Sequence, residues 1–493
     1  MSSQSSSATV SPTQTILHYD GSPDYLGAVP DSCDIPEKPA RPFASRADTG
    51  AVSLTATLRG DPENVELAKE KITDEVIASA TTKIEAAQLA KSDSSRLEWF
   101  YLGALWWSWF LLGWNDGSLG PLLPRIQEVY NVGYTVVSLL FVTYFIGFIS
   151  GAGGNIWLNA KLGFGKTMLI GTCFHVAAYS VQSCAPPFPV FVLSFILAGF
   201  GSSLQNAHGN GFVGSFRRNK ASRIMLLHAM YGLGAFCSPF SATYFSGVRH
   251  WSFHYLISLG IAVPNIVIQA LVFKLKRQED LLREADQLDE QKIAENSSST
   301  SNGEDSLYRR IFSMKAVHLM TIFSFMYIGV EVSVGSWIVT FIIRERNGGG
   351  FAGYVSSGFF GGFMLGRLIL IKVNQWVGEY NVIYLYMLLS IVSEITIWFI
   401  PSIIENALAV SFIGLCLGPI FPIVVGHASA ILPPELFTGA IGWTTGVGVA
   451  GSAALPFITG LLATNFGIQS LQPFMVSMMC AMVCIWMLVP KRR

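Results

Sequence analysis

The sequence predicts an all-α membrane protein, with twelve transmembrane helices arranged as two pseudo-symmetric six-helix bundles. Three observations support this fold class. Only 13% of the 493 residues are charged and 51% are hydrophobic, whereas about 25% of the residues of a soluble domain are charged. Apolar runs recur along the chain, and each is long enough to cross a bilayer, which takes about 20 residues. The two halves of the chain also match each other at a nearly constant offset in residue number.

The apolar runs fall into two groups of six, separated by a polar stretch. In the first half we predict membrane segments 1 to 6 at about 98–121, 133–158, 166–185, 188–213, 224–246 and 252–275. In the second half we predict segments 7 to 12 at about 314–343, 351–374, 381–401, 406–431, 438–463 and 470–490. The N-terminal bundle is therefore expected over 98–275 and the C-terminal bundle over 314–490, with a linker at 276–313 and a short C-terminus at 491–493.

The polar stretches outside the bundles differ in character. Residues 1–97 form an N-terminal tail that begins rich in Ser and Pro, which is typical of disorder. Apolar residues in 62–91 recur near helical spacing and indicate a short amphipathic helix. The linker is expected to start as a polar helix over 277–295 and to continue as a low-complexity run over 296–305.

The distribution of Lys and Arg predicts the orientation. These residues crowd the loops between segments 2 and 3 and between segments 4 and 5, the start of the linker, and the C-terminus. The opposite loops hold few of them: Arg125, Arg249, Arg344 and Arg346. Positively charged loops stay on the cytosolic side, so we expect both termini and the linker to be cytosolic. A multi-pass protein of this composition fits either the plasma membrane or the vacuolar membrane.

The internal repeat pairs two acids. An offset of 215 residues matches Asp116 in segment 1 with Glu331 in segment 7. The same offset holds for further pairs: Ser118 with Ser333, Gly120 with Gly335, Gly147 with Gly362, Gly151 with Gly366, Gly199 with Gly414 and Gly211 with Gly426. Beyond that point the sequence predicts that the second half loses one residue, so that Gly232 and Gly234 match Gly446 and Gly448 at an offset of 214. Parallel repeats of this kind occur in transporters, which bind their substrates between the halves.

Asp116 and Glu331 are the only acids near the middle of their segments. A charge at the centre of a bilayer costs about 2.5–3.5 kcal/mol on insertion scales. One interpretation is structural, with each acid bound to a polar neighbour that holds helices together. The other, which we favour, is a role in a substrate or ion pathway, in which one acid could bind and release a coupling proton or sodium ion.

Segment 4 is the most polar of the twelve. Gln205, Asn206 and Asn210 lie within six residues, and Asn206 and Asn210 share a helix face. Such amides must find partners inside the bundle or in a water-filled cavity. They either form hydrogen bonds between helices or present uncharged donors and acceptors to a polyhydroxylated solute. The equivalent stretch of segment 10 offers only His427, so we expect the hydrogen-bonding wall in the N-terminal bundle.

Two tryptophans flank the acids. Trp114 and Trp337 are candidates for stacking on a sugar ring, although Trp is also common at membrane interfaces and in helix packing. Other classes of site are not expected. The chain contains no GxxxxGK[ST] phosphate-binding loop and no cysteine spacing typical of zinc. Its net charge of zero gives no sign of nucleic-acid binding. We therefore expect a monomer in membrane lipid that is not an enzyme and needs no cofactor.

Twelve segments in a 6+6 parallel repeat with a long central loop resemble the major facilitator superfamily over about 98–490. The stretch YIGVEVSVGSWIVTF (327–341) resembles segment 7 of the fucose–proton-symporter-like branch of that superfamily, which includes many fungal members. LQNAHGNGF (204–212) resembles the branch's segment 4, with Asn206 in the place of an acid and Asn210 matching an Asn, while Asp116 matches the branch's segment 1 acid. The resemblance implies alternating access. The missing acid implies that Glu331 carries the coupling or that transport is uncoupled.

These observations predict a secondary transporter for a small polar, sugar-like solute. Two alternatives stay open at this point. An exporter of drug-like metabolites would have a more apolar cavity, and the polar face of segment 4 argues against it. A nutrient receptor that signals without transport is compatible with the long N-terminal tail.

Overall fold

The computed structural model describes residues 62–287 and 304–491, which form helices without a β-strand among them. The chain divides into two units between Thr82 and Lys83, and the described part of the first unit, from Pro62, is helical. The first half contains these α-helices: Pro62–Tyr130, Tyr134–Val137, Leu139–Leu162, Phe164–Ser183, Phe188–Gly214, Lys220–Ser246 and His254–Phe273. The linker contains Gln278–Glu284 and Glu304–Ser313. The second half contains these: Lys315–Glu345, Tyr354–Ile369, Ile371–Val377, Glu379–Phe399, Ile403–Leu417, Ile420–Ile431, Pro434–Phe466 and Leu471–Leu488.

Every predicted membrane segment coincides with a helix. Among the described residues, nine helical spans are long and apolar enough to cross a membrane, and a tenth is added if Tyr354–Ile369 and Ile371–Val377, bent by 57°, are one span. Segments 1 and 3 are helical but more polar. Segment 1 is rich in Trp and Gly, and segment 3 carries His175 and Gln182, which are both buried. The all-α membrane fold is confirmed, while the count of twelve crossings stays a prediction.

The linker differs from the sequence prediction. Within the described residues, its first helix is Gln278–Glu284, and Asp286 turns the chain after it at a φ of 51°. Residues 288–295 of the expected helix lie outside the described residues, and the helix Glu304–Ser313 covers the end of the low-complexity run.

The N-terminal tail is described only in part. The amphipathic helix expected over 62–91 is part of the continuous helix Pro62–Tyr130. The expected disordered stretch before residue 62, and linker residues 288–303, lie outside the described residues. The proposed domain boundaries therefore stay predictions.

The two bundles use the same close contacts. A Cβ atom at Gly147 would lie 2.0 Å from the carbonyl oxygen of Ile196, and one at Gly362 would lie 2.0 Å from that of Ser411. Both pairs are related by the offset of 215 residues. Backbones can approach this closely only where a helix carries glycine. The recurrence confirms the pseudo-symmetry of the bundles.

In segments 5 and 11 the offset is larger than the sequence alone suggests. A Cβ atom added at Gly234 would lie 2.0 Å from the carbonyl oxygen of Phe110, and one added at Gly451 would lie 1.9 Å from that of Phe325. Phe110 and Phe325 are equivalent, so Gly234 corresponds to Gly451 at an offset of 217. The predicted offset of 214 is wrong, because the second half gains two residues here instead of losing one.

The bundles touch each other near one end. The Thr135 amide donates to Thr464 Oγ1 at 3.1 Å, and the Tyr134 and Trp337 rings lie 6.0 Å apart. The rings of Phe240 and Tyr354 also contact each other. All of these residues lie near the helix ends that are joined by the 1–2, 5–6, 7–8 and 11–12 loops. In the described part of the chain, no hydrogen bond, ion pair or ring contact joins the bundles at their opposite ends. The interface is therefore closed on one side.

Candidate solute and ion site

Asp116 is surrounded by neutral donors. The Tyr231 hydroxyl donates to its Oδ2 at 2.7 Å, and the Asn115 amide donates to its Oδ1 at 3.1 Å. The Tyr144 hydroxyl lies 3.4 Å from the same Oδ1. Among the described residues, no Lys, Arg or His forms an ion pair with Asp116. The carboxylate is therefore hydrogen-bonded, but its charge is not balanced by an adjacent cation.

Glu331 has a cationic neighbour. The Arg367 guanidinium and the Tyr327 hydroxyl are close enough to interact with its carboxylate. Arg367 is fixed by a hydrogen bond from its Nε to the Gly418 carbonyl oxygen at 3.1 Å and by stacking 4.3 Å from the Phe363 ring centre. Segment 8 supplies this arginine from an apolar helix. Within the described residues, Glu331 thus has a cation within electrostatic reach, which Asp116 lacks, although Glu331 and Arg367 form no ion pair.

The two acids belong to different bundles but lie within electrostatic reach of each other. Tyr231, which donates to Asp116, also interacts with Glu331. All three side chains are only partly buried. They form a polar cluster across the interface of the two bundles, which we call the acid cluster. Within this cluster, the Asp116 carboxylate is the acid that has no cation nearby. A proton or a small cation bound to Asp116 would neutralise that charge.

Asn206 and Asn210 face the same way on segment 4. The Asn210 Nδ2 donates to Asn206 Oδ1 at 2.8 Å, as their spacing predicts, and both residues are partly exposed. Their remaining amide atoms, Asn206 Nδ2 and Asn210 Oδ1, make no other side-chain hydrogen bond within the described ranges. The pair thus offers the N–H groups of Asn206 Nδ2 and the acceptor oxygen Asn210 Oδ1 to a solute.

Gln205 lies on another face of the same helix. It is fully buried, and its Nε2 donates to Thr172 Oγ1 of segment 3 at 2.6 Å. Adjacent residues on a helix point about 100° apart, so Gln205 and Asn206 do not face the same space. The structure therefore separates Gln205 from the asparagine pair.

The aromatic candidates are used in packing. Trp114 Nε1 donates to Ser258 Oγ at 2.9 Å inside the N-terminal bundle, and Trp337 Nε1 donates to the Pro456 carbonyl oxygen at 3.0 Å. Both rings are buried. Each indole N–H therefore already has a partner, and neither ring is open to a solute in this conformation.

His427 lies away from the acid cluster. Its Nε2 is 2.9 Å from the Pro490 carbonyl oxygen, and its ring contacts Tyr380 and Trp486. These neighbours place it at the end of segment 12. The structure thus brings Asp116 and Glu331 together, and it keeps His427 apart from them.

Sequence reasoning missed the hydroxyls and the cation that complete the cluster. Tyr144 and Tyr231 look like ordinary apolar-helix residues, because Tyr is common in membrane helices. Arg367 gave a stronger signal, since an arginine within a membrane segment is costly and needs a partner. The partner itself was identifiable only once segments 7 and 8 were packed.

Two helical bundles with a polar cluster at their interface define the class of secondary membrane transporters. A family model described as "Major Facilitator Superfamily" matches residues 105–424, and the chain belongs to this superfamily. It is an integral, multi-pass membrane protein. The resemblance noted in the sequence is thereby confirmed at the level of the superfamily.

Among curated relatives, the chain is 26% identical over 401 residues to "Bypass of stop codon protein 6" of Saccharomyces cerevisiae, covering 77% of this chain and 80% of that protein. It is 23% identical over 331 residues to the "Glucose/mannose transporter GlcP" of Bacillus subtilis, covering 66% and 78%.

Solved structures share the fold. The D-xylose-proton symporter matches with a TM-score of 0.65 at 11% identity, covering 80% of this chain and 98% of that one. The fucose:proton symporter of E. coli matches with a TM-score of 0.53 at 15% identity, covering 79% and 98%. Both likenesses concern the fold alone.

Proposed function

We propose that this protein is a secondary transporter that moves a small, sugar-like solute across a membrane by alternating access. The observation that carries the proposal is the acid cluster, which contains one acid from each bundle and lies at the interface of the two bundles. The N-terminal bundle also presents Asn206 and Asn210. Amides without charge suit the hydroxyl groups of a sugar. The name of the Bacillus relative, a glucose and mannose transporter, supports the same class of solute.

Coupling is assigned to Asp116. The Arg367 guanidinium interacts electrostatically with Glu331, whereas Asp116 has only neutral donors, so a proton on Asp116 removes the charge that has no cation nearby when the bundles rearrange. Glu331, which lies within electrostatic reach of both Asp116 and Arg367, then responds to whether Asp116 is neutral. Sodium in place of the proton, or uncoupled transport, are outcomes that the uptake experiment distinguishes.

The conformation supports alternating access. The bundles are in contact at the ends of loops 1–2 and 7–8, which the distribution of Lys and Arg assigns to the non-cytosolic side. With both termini cytosolic, this is an inward-facing state. We propose that the protein works as a monomer in the plasma or vacuolar membrane, because both acids of the cluster come from one chain.

The test is uptake by the purified protein in liposomes, with a panel of labelled sugars. We expect uptake of one or more sugars, with accumulation driven by an inward proton gradient and not by sodium. Uptake of amphipathic drugs instead would favour the exporter. Absence of flux with retained sugar binding would favour a receptor.

Replacing Asn206 or Asn210 with Leu should weaken solute binding without unfolding the helix. One hydrogen-bonding group of the solute loses its partner, which costs about 1–3 kcal/mol, or about 5–150-fold in affinity. The measurement is the affinity for the transported sugar. Asn465→Leu is the matched control, because Asn465 is exposed and donates only to the Leu461 carbonyl of its own helix. Unchanged affinity in both segment 4 variants would place the solute elsewhere.

The orientation is tested with single cysteines. Ser299→Cys in the linker should react with a membrane-impermeant maleimide only after the cytosolic side is opened. Gly349→Cys, in the 7–8 loop, is the counterpart and should react in intact cells. The reverse pattern would invert the topology and turn the observed state into an outward-facing one.

A further inference from the structure

The C-terminal bundle buries a second acid that the acid cluster does not use. Glu394 lies in segment 9, helix Glu379–Phe399, and only 1% of its surface is exposed. Its Oε2 has no hydrogen-bond partner, and no charged group of the described residues interacts with it. An isolated buried carboxylate is costly unless it is paired, protonated or bound to a cation. Glu394 is therefore either protonated or bound to a cation that the protein itself does not supply.

Ser333 and Gln472 are among the other buried polar side chains of the same bundle that lack partners. Ser333 Oγ of segment 7 and both amide atoms of Gln472 in segment 12 make no hydrogen bond, and both residues are completely buried. Segments 7, 9 and 12 pack on each other: Trp486 contacts the ring of Phe323 at 5.0 Å and that of Tyr380 at 5.4 Å.

The internal repeat indicates where these side chains lie. Segments 3 and 9 keep the offset of 215, because Gly163 and Gly378 precede them with the same positive φ. Segments 6 and 12 are each preceded by a 3-10 helix, Trp251–Phe253 and Ile468–Ser470, at the offset of 217 found for Gly234 and Gly451. With these offsets, Ser333, Glu394 and Gln472 of the C-terminal bundle correspond to Ser118, Tyr179 and Tyr255 of the N-terminal bundle.

All three equivalents line one void in the N-terminal bundle. Ser118, Tyr179 and Tyr255 surround a space of about 10 Å³ between segments 1, 3 and 6, which is close to the space that one water molecule occupies. The repeat therefore places Ser333, Glu394 and Gln472 around the corresponding point of the C-terminal bundle. By this correspondence, three oxygen-bearing side chains without partners take the places of the serine and the two tyrosines of the N-terminal bundle.

We propose that Glu394, Ser333 and Gln472 form a sodium site inside the C-terminal bundle, separate from the acid cluster. Carboxylate, hydroxyl and amide oxygens are the donors that hard cations prefer. One carboxylate balances one monovalent charge, whereas a divalent ion would leave a net charge in the apolar interior. The N-terminal bundle has no acid at the equivalent position, so this site belongs to the C-terminal bundle. The inference goes beyond the proposed function and does not depend on which solute is carried.

The test is the thermal stability of the purified full-length protein in sodium chloride and in choline chloride at equal ionic strength. A ligand that binds only the folded state raises the melting temperature with its concentration. We expect sodium to raise the melting temperature of the wild type and of Asp116→Asn, and not to raise that of Glu394→Gln. A wild type that responds equally to sodium and choline, or a Glu394→Gln protein that keeps the sodium response, would overturn the site.

Ser333→Ala keeps the test decisive if Glu394→Gln does not fold. It removes one oxygen and leaves the carboxylate in place. Even outer partners of metal ligands contribute about 10–100-fold to metal affinity, so the sodium concentration for half of the stabilisation should rise by about tenfold or more. An unchanged concentration dependence refutes the assignment of Ser333. If acid pH raised the melting temperature in choline chloride and sodium did not raise it, Glu394 would bind a proton only. The sodium proposal would then fail even if sugar uptake were normal.

Discussion

Asp116→Asn is expected to reduce the accumulation of solute in proteoliposomes to its equilibrium level. Asn keeps the shape of the side chain and can still hydrogen-bond Tyr231 and Asn115, so the helix should stay in place. It cannot take up or release a proton, so an inward proton gradient no longer drives uptake. Exchange of labelled for unlabelled solute should persist, because exchange requires only reorientation of the loaded carrier. The measurements are the accumulation ratio under a proton gradient and the exchange rate without one.

Glu128→Gln is the matched control for this variant. Glu128 lies on the same helix, and its side chain is 67% exposed in an ion pair with Arg125. A surface pair of this kind contributes little to stability. We therefore expect wild-type accumulation. If Asp116→Asn still concentrated the solute with the pH dependence of the wild type, the coupling role would have to be assigned to another group.

Glu331→Gln is expected to destabilise the protein and to stop transport. The substitution removes the negative charge that interacts electrostatically with the Arg367 guanidinium. Because both residues are partly exposed and form no ion pair, the expected loss of stability is smaller than the cost of removing one partner of a buried ion pair, which is about 3–5 kcal/mol. The measurement is the melting temperature of the purified protein, together with exchange activity. From the sequence alone we would have expected easier membrane insertion, since the variant removes a charge; Arg367 reverses that expectation.

The double variant Glu331→Gln, Arg367→Met separates charge pairing from packing. It removes both charges, so its stability should return towards that of the wild type. Transport should not return, because the carboxylate that responds to Asp116 is gone. Glu345→Gln, at the end of the same helix, is the control and should be neutral. If the single variant were as stable as the wild type, Glu331 would not depend on Arg367 for its burial.

The candidate site was only partly accessible from sequence. Asp116 and Glu331 were identifiable because an acid inside an apolar run is rare and costly, and Asn206 and Asn210 because their spacing places them on one helix face. Gln205 was grouped with the asparagines by proximity in sequence, although its side chain points into segment 3. Trp114 and Trp337 were selected because they neighbour the acids, and each proved to donate its N–H within a bundle.

The sequence by itself determined the all-helical membrane fold, the two-half repeat and the pairing of Asp116 with Glu331. These properties follow from composition, from the length of apolar runs and from local spacing, all of which are written along one chain. Only the tertiary structure decided which residues complete the cluster. Tyr231 and Arg367 lie far from their partner acids in sequence, and whether they meet them depends on the rotation of each helix about its axis. Packing against several neighbouring helices at once sets that rotation, and no single segment contains that information.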